Sequence, residues 1–298
     1  MQFNKGMVFV GCSFTWGGGL EWYTPYNSVK KLNKYFYDVI NINTAMHKFI
    51  SKNRYGRKVA DAFGTWDVHK GSNGGSDEAA LLWLSEIFML NKTNKIQNPY
   101  FQYDHPEFKP DEIEYVIMQF TSPFRNNIVT INGEDIDLKI SAVRQMGNHQ
   151  QKENNVNDFT QTLGSEEFEK FFKFYSENFA SWEDLEKYII KQNLRKIKTT
   201  FLKLEEMGIK CRFWTWQNEY VPFVKENKFL NDRYIKFNYD NTEFDSLDDV
   251  IKYNPKFRIS TSGLLVDDKP VPDDHPTLEC HSFIADTIIE YIRKESNV

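Results

Sequence analysis

The sequence predicts an α/β fold, a mainly parallel sheet with helices on both faces. Three observations lead there. Short apolar runs recur at Met7–Val10, Glu114–Phe120 and Lys210–Trp216; near-continuous apolar runs mark strands covered on both sides. Stretches with helical periodicity lie between them, and strands alternating with helices imply parallel crossovers. The chain has 298 residues, 40% hydrophobic and 27% charged, enough for a self-sufficient core. No apolar run approaches the roughly 18–20 residues that span a membrane.

Met7–Val10 ends at Gly11 and reads as a buried first strand. Tyr26–Ile40 and Arg54–Phe63 carry helical periodicity, the second closed by Gly64 at a C-cap position. Trp66–His69 predicts a short second strand and Ser72–Ser76 a turn. Asp77–Leu90 predicts a helix with Ala80, Trp83, Leu84, Ile87 and Phe88 on its apolar face. Glu114–Phe120 is the third strand. Residues 126–165 are polar and rich in Asn and Gln, an excursion from the scaffold. Ser181–Met207 is the clearest helix: Ser181 with Asp184 resembles a capping box and Gly208 closes it. Lys210–Trp216 is the fourth strand, residues 217–262 read as irregular, and Leu264–Val266 as a short fifth strand or loop. Thr277 is placed to cap a final helix that runs to Lys294. The acid run Asp245–Asp249 reads as a solvated face.

Net charge is -5, from 37 basic and 42 acidic residues, which argues against binding nucleic acid by bulk electrostatics. Cys12, Cys211 and Cys280 form no disulfide framework and have no metal-ligand spacing. His47, His69, His105 and His149 also lack partners at ligand spacing, so neither metal nor cofactor is expected. The start MQFNKGMVFVG is too short for a secretory signal. The expectation is a cytoplasmic protein with no membrane or nucleic-acid partner.

In such folds ligands bind beyond the carboxyl ends of the strands. Those ends carry Gly11-Cys12-Ser13-Phe14-Thr15, Asn73-Gly74-Gly75-Ser76 and Gln119-Phe120-Thr121-Ser122, with Arg125 close behind. Before the last helix stands Asp273-Asp274-His275-Pro276-Thr277. A serine hydrolase needs a hydroxyl, a base, a carboxylate that orients the base, and donors for the oxyanion. Ser13 follows a strand at a tight turn, and Asp273 can meet His275 through one loop. Taken singly, Ser13 would be a turn residue and His275 a surface group; their order along the chain favours chemistry. Trp214 and Trp216 read as core, with substrate contact open to Gln217, Asn218 and Glu219.

In this order the residues resemble the SGNH (GDSL-like) hydrolase family. Gly11-Cys12-Ser13 stands for its first block, Gly75 or Gly74 for the second, Gln119-Phe120-Thr121-Ser122 for the third, and Asp273-x-His275-Pro276 for the fifth. Cys280-His281 is similar to the Gly-His element that follows. The opening Val-Gly-Cys-Ser-Phe-Thr resembles a variant common among bacteriophage-encoded members, which would place the protein in a host cytoplasm or a virion. The resemblance implies a flavodoxin-like three-layer α/β/α sandwich, one domain over 1–298 with an insertion at about 126–180. It implies hydrolysis of an ester, an O-acetyl or short acyl group on a small molecule or glycan. Ser13 would attack, His275 would take its proton and Asp273 would orient the ring, with Asp274 as the second choice. The N–H groups of Ser13 and Gly75 would bind the oxyanion.

The sequence departs from the family pattern in three places. Thr121 replaces a side-chain amide donor, for which Arg125 could compensate. The usual acid position, three before the His, is Pro272. Gly17-Gly18-Gly19 inserts a flexible loop that would widen the site, with Trp22, Tyr23 and Tyr26 as stacking platforms. A non-catalytic binding or virion-associated protein on the same scaffold is the competing reading. A nucleotide-binding protein ranks last, because no GxGxxG or P-loop pattern is present.

Overall fold

The computed structural model describes residues 4–24, 44–71, 77–89, 96–97, 107–123, 127–131, 134–138 and 165–296. In chain order, strand β1 (Gly6–Gly11) leads into a one-turn helix α1 (Ser13–Trp16) and a 3-10 turn at Leu20–Tyr23. Helices α2 (Thr44–Asn53) and α3 (Tyr55–Ala62) precede β2 (Asp67–Gly71) and α4 (Asp77–Met89). A two-residue pair, β3 (Ile96–Gln97) and β4 (Glu107–Phe108), comes before β5 (Ile113–Phe120). The hairpin β6 (Asn127–Ile131) and β7 (Glu134–Leu138) is followed by α5 (Ser165–Asn178), α6 (Trp182–Glu206) and β8 (Lys210–Thr215). Then come α7 (Val221–Glu226), α8 (Lys228–Asn231), the hairpin β9 (Phe237–Tyr239) and β10 (Thr242–Phe244), and α9 (Leu247–Tyr253). The hairpin β11 (Leu265–Val266) and β12 (Lys269–Pro270) precedes the closing helix α10 (Leu278–Ser296).

Four strands form one parallel sheet in the order β2-β1-β5-β8. Val8 lies opposite Val68 on one side and Val116 on the other. Successive strand side chains point to opposite faces, and both faces are apolar. Val8, Val10, Val116, Met118, Cys211 and Phe213 pack with α4 and α6 through Leu84, Ile87, Ile197 and Phe201. Met7, Phe9, Tyr115, Ile117 and Trp214 pack with α3, α9 and α10 through Val59, Val250, Ile284 and Ile288. This is the α/β/α layering that the strand runs predict. Each fully buried side chain of this size contributes about 1.5–3 kcal/mol. The chain winds outward from β1 to β2, then crosses to β5 and β8. The winding therefore reverses between β1 and β5, and folds of this kind bind ligands at the carboxyl ends beside such a reversal.

The caps follow the sequence. Ser181 Oγ accepts the Asp184 N–H at 3.2 Å, Gly208 closes α6 with φ +85°, and Thr277 Oγ1 accepts the Cys280 N–H at 3.2 Å. Several readings are corrected. The second strand starts at Asp67 and reaches Gly71, because its register with β1 continues to Gly11. Leu264–Val266 is no fifth strand: Leu265 and Val266 pair antiparallel with Pro270 and Lys269, outside the sheet. Residues 217–262 are largely ordered into short helices and a hairpin, because their aromatic rings are what seats them. Tyr239 meets Phe257 at 5.3 Å and Phe283 at 5.5 Å. Asp245–Asp249 is a helix start and no plain solvated face, with buried Ser246 accepting the Asp249 N–H. The helix read at Tyr26–Ile40 lies outside the described residues.

Candidate active site

Helix α1 begins directly after β1 and is built from a buried polar network. Gln119, one residue before the end of β5, reaches across to it. Its Oε1 accepts the Thr15 hydroxyl at 2.9 Å and the Cys12 N–H at 3.4 Å, and its Nε2 donates to Cys12 Sγ at 3.1 Å. The Tyr55 hydroxyl is 2.8 Å from Thr15 Oγ1. Since the Thr15 proton goes to Gln119, Tyr55 donates. Gly11 is required here: a Cβ would stand 2.4 Å from Thr15 Oγ1 and 2.8 Å from Gln119 Oε1. The turn thus fixes Ser13, whose Oγ faces the loop before α10.

In that loop His275 Nε2 lies 2.8 Å from Ser13 Oγ, and His275 Nδ1 lies 2.5 Å from Asp273 Oδ1. The carboxylate accepts the Nδ1 proton, which leaves Nε2 to accept from the serine hydroxyl. Asp273 also takes the His275 backbone N–H at 2.9 Å and the Trp22 indole N–H on Oδ2 at 2.5 Å. Burial pushes its pKa up, but the hydrogen bonds and charge of His275 and the Trp22 bond outweigh this. Asp273 is held below the usual carboxylate range. The loop itself is pinned: Ile259 N–H donates to the His275 carbonyl at 3.1 Å and Ser260 N–H to the Asp273 carbonyl at 2.7 Å. Asp274 points away, 81% exposed at its side chain, and accepts the Ser260 hydroxyl at 2.8 Å.

The imidazole is enclosed on two sides. Phe14 meets it edge-on at 5.5 Å, and Trp216 meets Phe14 at 4.3 Å. Gly18 and Gly19 are buried against it: a Cβ on Gly18 would be 2.9 Å from His275 Cδ2, and one on Gly19 2.8 Å from His275 Cβ. The Gly17–Gly19 run is therefore no loose loop widening the site. Gly17 and Gly19 carry φ of +101° and +93°, and each place is filled by a neighbour: Ile50 at Gly17, the His275 ring at Gly18, and Ile259 with His275 Cβ at Gly19. Trp22 is likewise no exposed platform; it is buried and braces Asp273. Tyr26 lies outside the described residues.

Thr121 follows β5, and its N–H donates to Asp77 Oδ1 at 2.8 Å while its hydroxyl turns to the Ser122 carbonyl at 3.4 Å. Asp77 also accepts the Tyr220 hydroxyl at 2.6 Å. Gly74, Gly75 and Arg125 lie outside the described residues. Asn218 donates to Asp249 at 2.7 Å. His281 stacks on Tyr55 at 6.1 Å, and burial drives it down to about 3, so the ring is neutral. Sequence reasoning placed Gln119 only in the third block and took Trp22 for a stacking platform, and it missed Asp77 and Glu21. Glu21 is 2% exposed, and among the described residues no side chain bonds its carboxylate. Burial foremost, with Asp273 adding to it, raises its pKa to about 7. A polar residue near the end of an apolar strand was the available signal for the role of Gln119; the others carried none. Among the described residues no three His, Cys, Asp or Glu side chains converge as metal ligands would.

Chemically, a hydroxyl, an imidazole and an ionised carboxylate in one hydrogen-bonded line can take a proton from the hydroxyl and return it to a leaving group. No family model and no curated protein matches the chain. One solved structure aligns with 99% of this chain and 70% of its own, at 12% identity and a TM-score of 0.39. It is described as a carbohydrate esterase whose active site displays divergent catalytic and non-catalytic binding functions.

Proposed function

We propose that the protein is a serine esterase of the SGNH type that works through Ser13, His275 and Asp273. The observation that carries this reading is the Ser13 Oγ to His275 Nε2 distance of 2.8 Å, with Nδ1 of the same ring on Asp273. Ser13 Oγ attacks the acyl carbon and His275 Nε2 takes its proton. The same ring then protonates the departing alkoxide, leaving an acyl group on Ser13. Water, activated by His275, hydrolyses that acyl-enzyme. Asp273 keeps Nδ1 protonated and balances the imidazolium. The first-turn N–H of Ser13, which has no intrahelical partner, is one oxyanion donor, and Gly75 supplies the second. The acyl group is short, acetyl or similar, because Phe14, Gly18 and Gly19 crowd the imidazole. The half-buried Trp216, one ring removed from His275, suits a carbohydrate on the alcohol side.

The test is hydrolysis of p-nitrophenyl acetate by the wild type and Ser13→Ala. Turnover by the wild type that falls to background in the variant supports the reading. Turnover that survives the substitution removes Ser13 from it. One observation favours the second reading, a non-catalytic binding protein on this scaffold. The N–H of Thr121 is already held by Asp77 and its hydroxyl faces Ser122, so the third-block oxyanion donor is not poised. Loss of an oxyanion donor costs about 3–4 kcal/mol of transition-state stabilisation. A wild type that binds acetylated glycans without hydrolysing them would establish that reading.

A further inference from the structure

A second Asp–His pair lies beneath the site. Asp67 and His69, on β2, have fully buried side chains. His69 Nε2 is 2.5 Å from Asp67 Oδ2, and His69 Nδ1 is 3.2 Å from the Thr15 carbonyl. That carbonyl belongs to the last turn of α1, where no intrahelical donor reaches it. The ring cannot swing away. Phe9 stacks on it at 5.1 Å with an interplanar angle of 16°, and a Cβ on Gly56 would stand 2.3 Å from its Cε1. Arg54, also fully buried, donates to Asp67 Oδ2 at 3.5 Å, and Arg57 reaches Asp67 Oδ1.

From this geometry we infer that His69 and Asp67 are positioning residues for the nucleophile: they hold α1 by its Thr15 carbonyl and so set the placement of Ser13. The inference rests on the esterase reading for its catalytic consequence. The Thr15 carbonyl and the ionised Asp67 carboxylate both only accept, so Nδ1 donates upward to Thr15 and Nε2 donates to Asp67, the ring carrying both protons. Asp67, fixed by the two arginines, sets the other end of the ring. Gln119 grips the Thr15 hydroxyl from β5, and His69 grips its carbonyl from β2. The one-turn helix is thereby clamped between two strands of the sheet, two residues beyond Ser13. Neither residue touches a substrate that sits at His275; the effect passes through Thr15.

The experiment compares wild type, His69→Phe, His69→Gln and Asp67→Asn in p-nitrophenyl acetate turnover, with circular dichroism as the folding check. Misplacing a reacting group by about 1 Å can cost on the order of 100-fold. The expected result is a roughly 10- to 100-fold fall in kcat for His69→Phe with KM within about twofold. His69→Gln, which keeps a donor, recovers part of it. Wild-type kcat in a folded His69→Phe, or a loss confined to KM, overturns the inference. An activity-independent arm uses nitrogen-15 NMR of the His69 ring in the wild-type protein at neutral pH. A protonated Nδ1 is expected, and an unprotonated Nδ1 overturns the clamp even if His69→Phe fails to fold. A wild type without turnover defeats the esterase reading, while the NMR arm still decides the clamp.

Discussion

Gly18→Ala isolates the contact between the glycine run and the imidazole. Gly18 is outside the left-handed region that Gly17 and Gly19 occupy, so alanine brings no backbone strain. The new Cβ would lie 2.9 Å from His275 Cδ2 and 3.1 Å from Nε2, with the Ser13 carbonyl at 3.1 Å blocking retreat on the other side. An ordinary contact begins near 3.4 Å, so the ring must yield by about 0.5 Å. A hydrogen bond of 2.8 Å to Ser13 Oγ then moves past the roughly 2.6–3.2 Å over which a base takes a proton. The expected loss in kcat/KM is roughly 10- to 100-fold, about 1.4–2.7 kcal/mol of transition-state stabilisation. Tm should stay within a few degrees, since removing a glycine restricts the unfolded chain and gives back about 0.4–1 kcal/mol. The assay is p-nitrophenyl acetate turnover beside thermal unfolding on the same preparation. A folded Gly18→Ala with wild-type kcat/KM would show that His275 in that position is not the working base.

Trp22→Phe removes the indole donor from Asp273 Oδ2 and keeps an apolar ring; steady-state kinetics should show kcat/KM down about 10-fold, since a hydrogen bond to a charged acceptor is worth about 1.5–3 kcal/mol. Asp274→Asn alters only an exposed carboxylate bonded to Ser260 and should leave kcat/KM within about twofold; a large loss would mean the triad acid is misassigned. Burial pushes the Glu21 carboxyl up to about 7 from its ordinary value of 4.5, so the folded state holds the extra proton. Its contribution is harmless below the unfolded value and becomes a penalty as pH rises to about 7, reaching about 3 kcal/mol above that. Denaturant titrations of Glu21→Gln should therefore show a gain over wild type at pH 8 and little difference at pH 4. Equal gains at both pH values would refute the linkage.

How much of this was legible in the sequence follows from what kind of contact each part uses. Val8, Val116 and Phe213 announce themselves because a buried parallel strand must be apolar on both faces. Ser181 and Thr277 announce themselves because caps are local. Ser13, Asp273 and His275 stand on strand-end and loop segments whose order along the chain suggested a relay, and the fold brings them into hydrogen-bond contact. The roles of Gln119, Trp22 and Asp77 were hidden because their partners, Thr15, Asp273 and Tyr220, are 104, 251 and 143 residues away. The glycine run misled for a physical reason: in sequence three glycines read as freedom, whereas here their Cβ positions are taken by Ile50, the His275 ring and Ile259. Leu265–Val266 misled because two apolar residues suit a hairpin as well as a sheet edge.

The central claim is that Ser13 is a nucleophile activated by His275. Mass spectrometry of the intact and digested protein after reaction with a fluorophosphonate tests it most directly, because the probe needs an activated hydroxyl and no particular ester. The account predicts one adduct per chain, mapped to Ser13, absent in Ser13→Ala and slowed at least roughly 100-fold in His275→Ala. No adduct on the folded wild type, or one mapped to another residue, would contradict it.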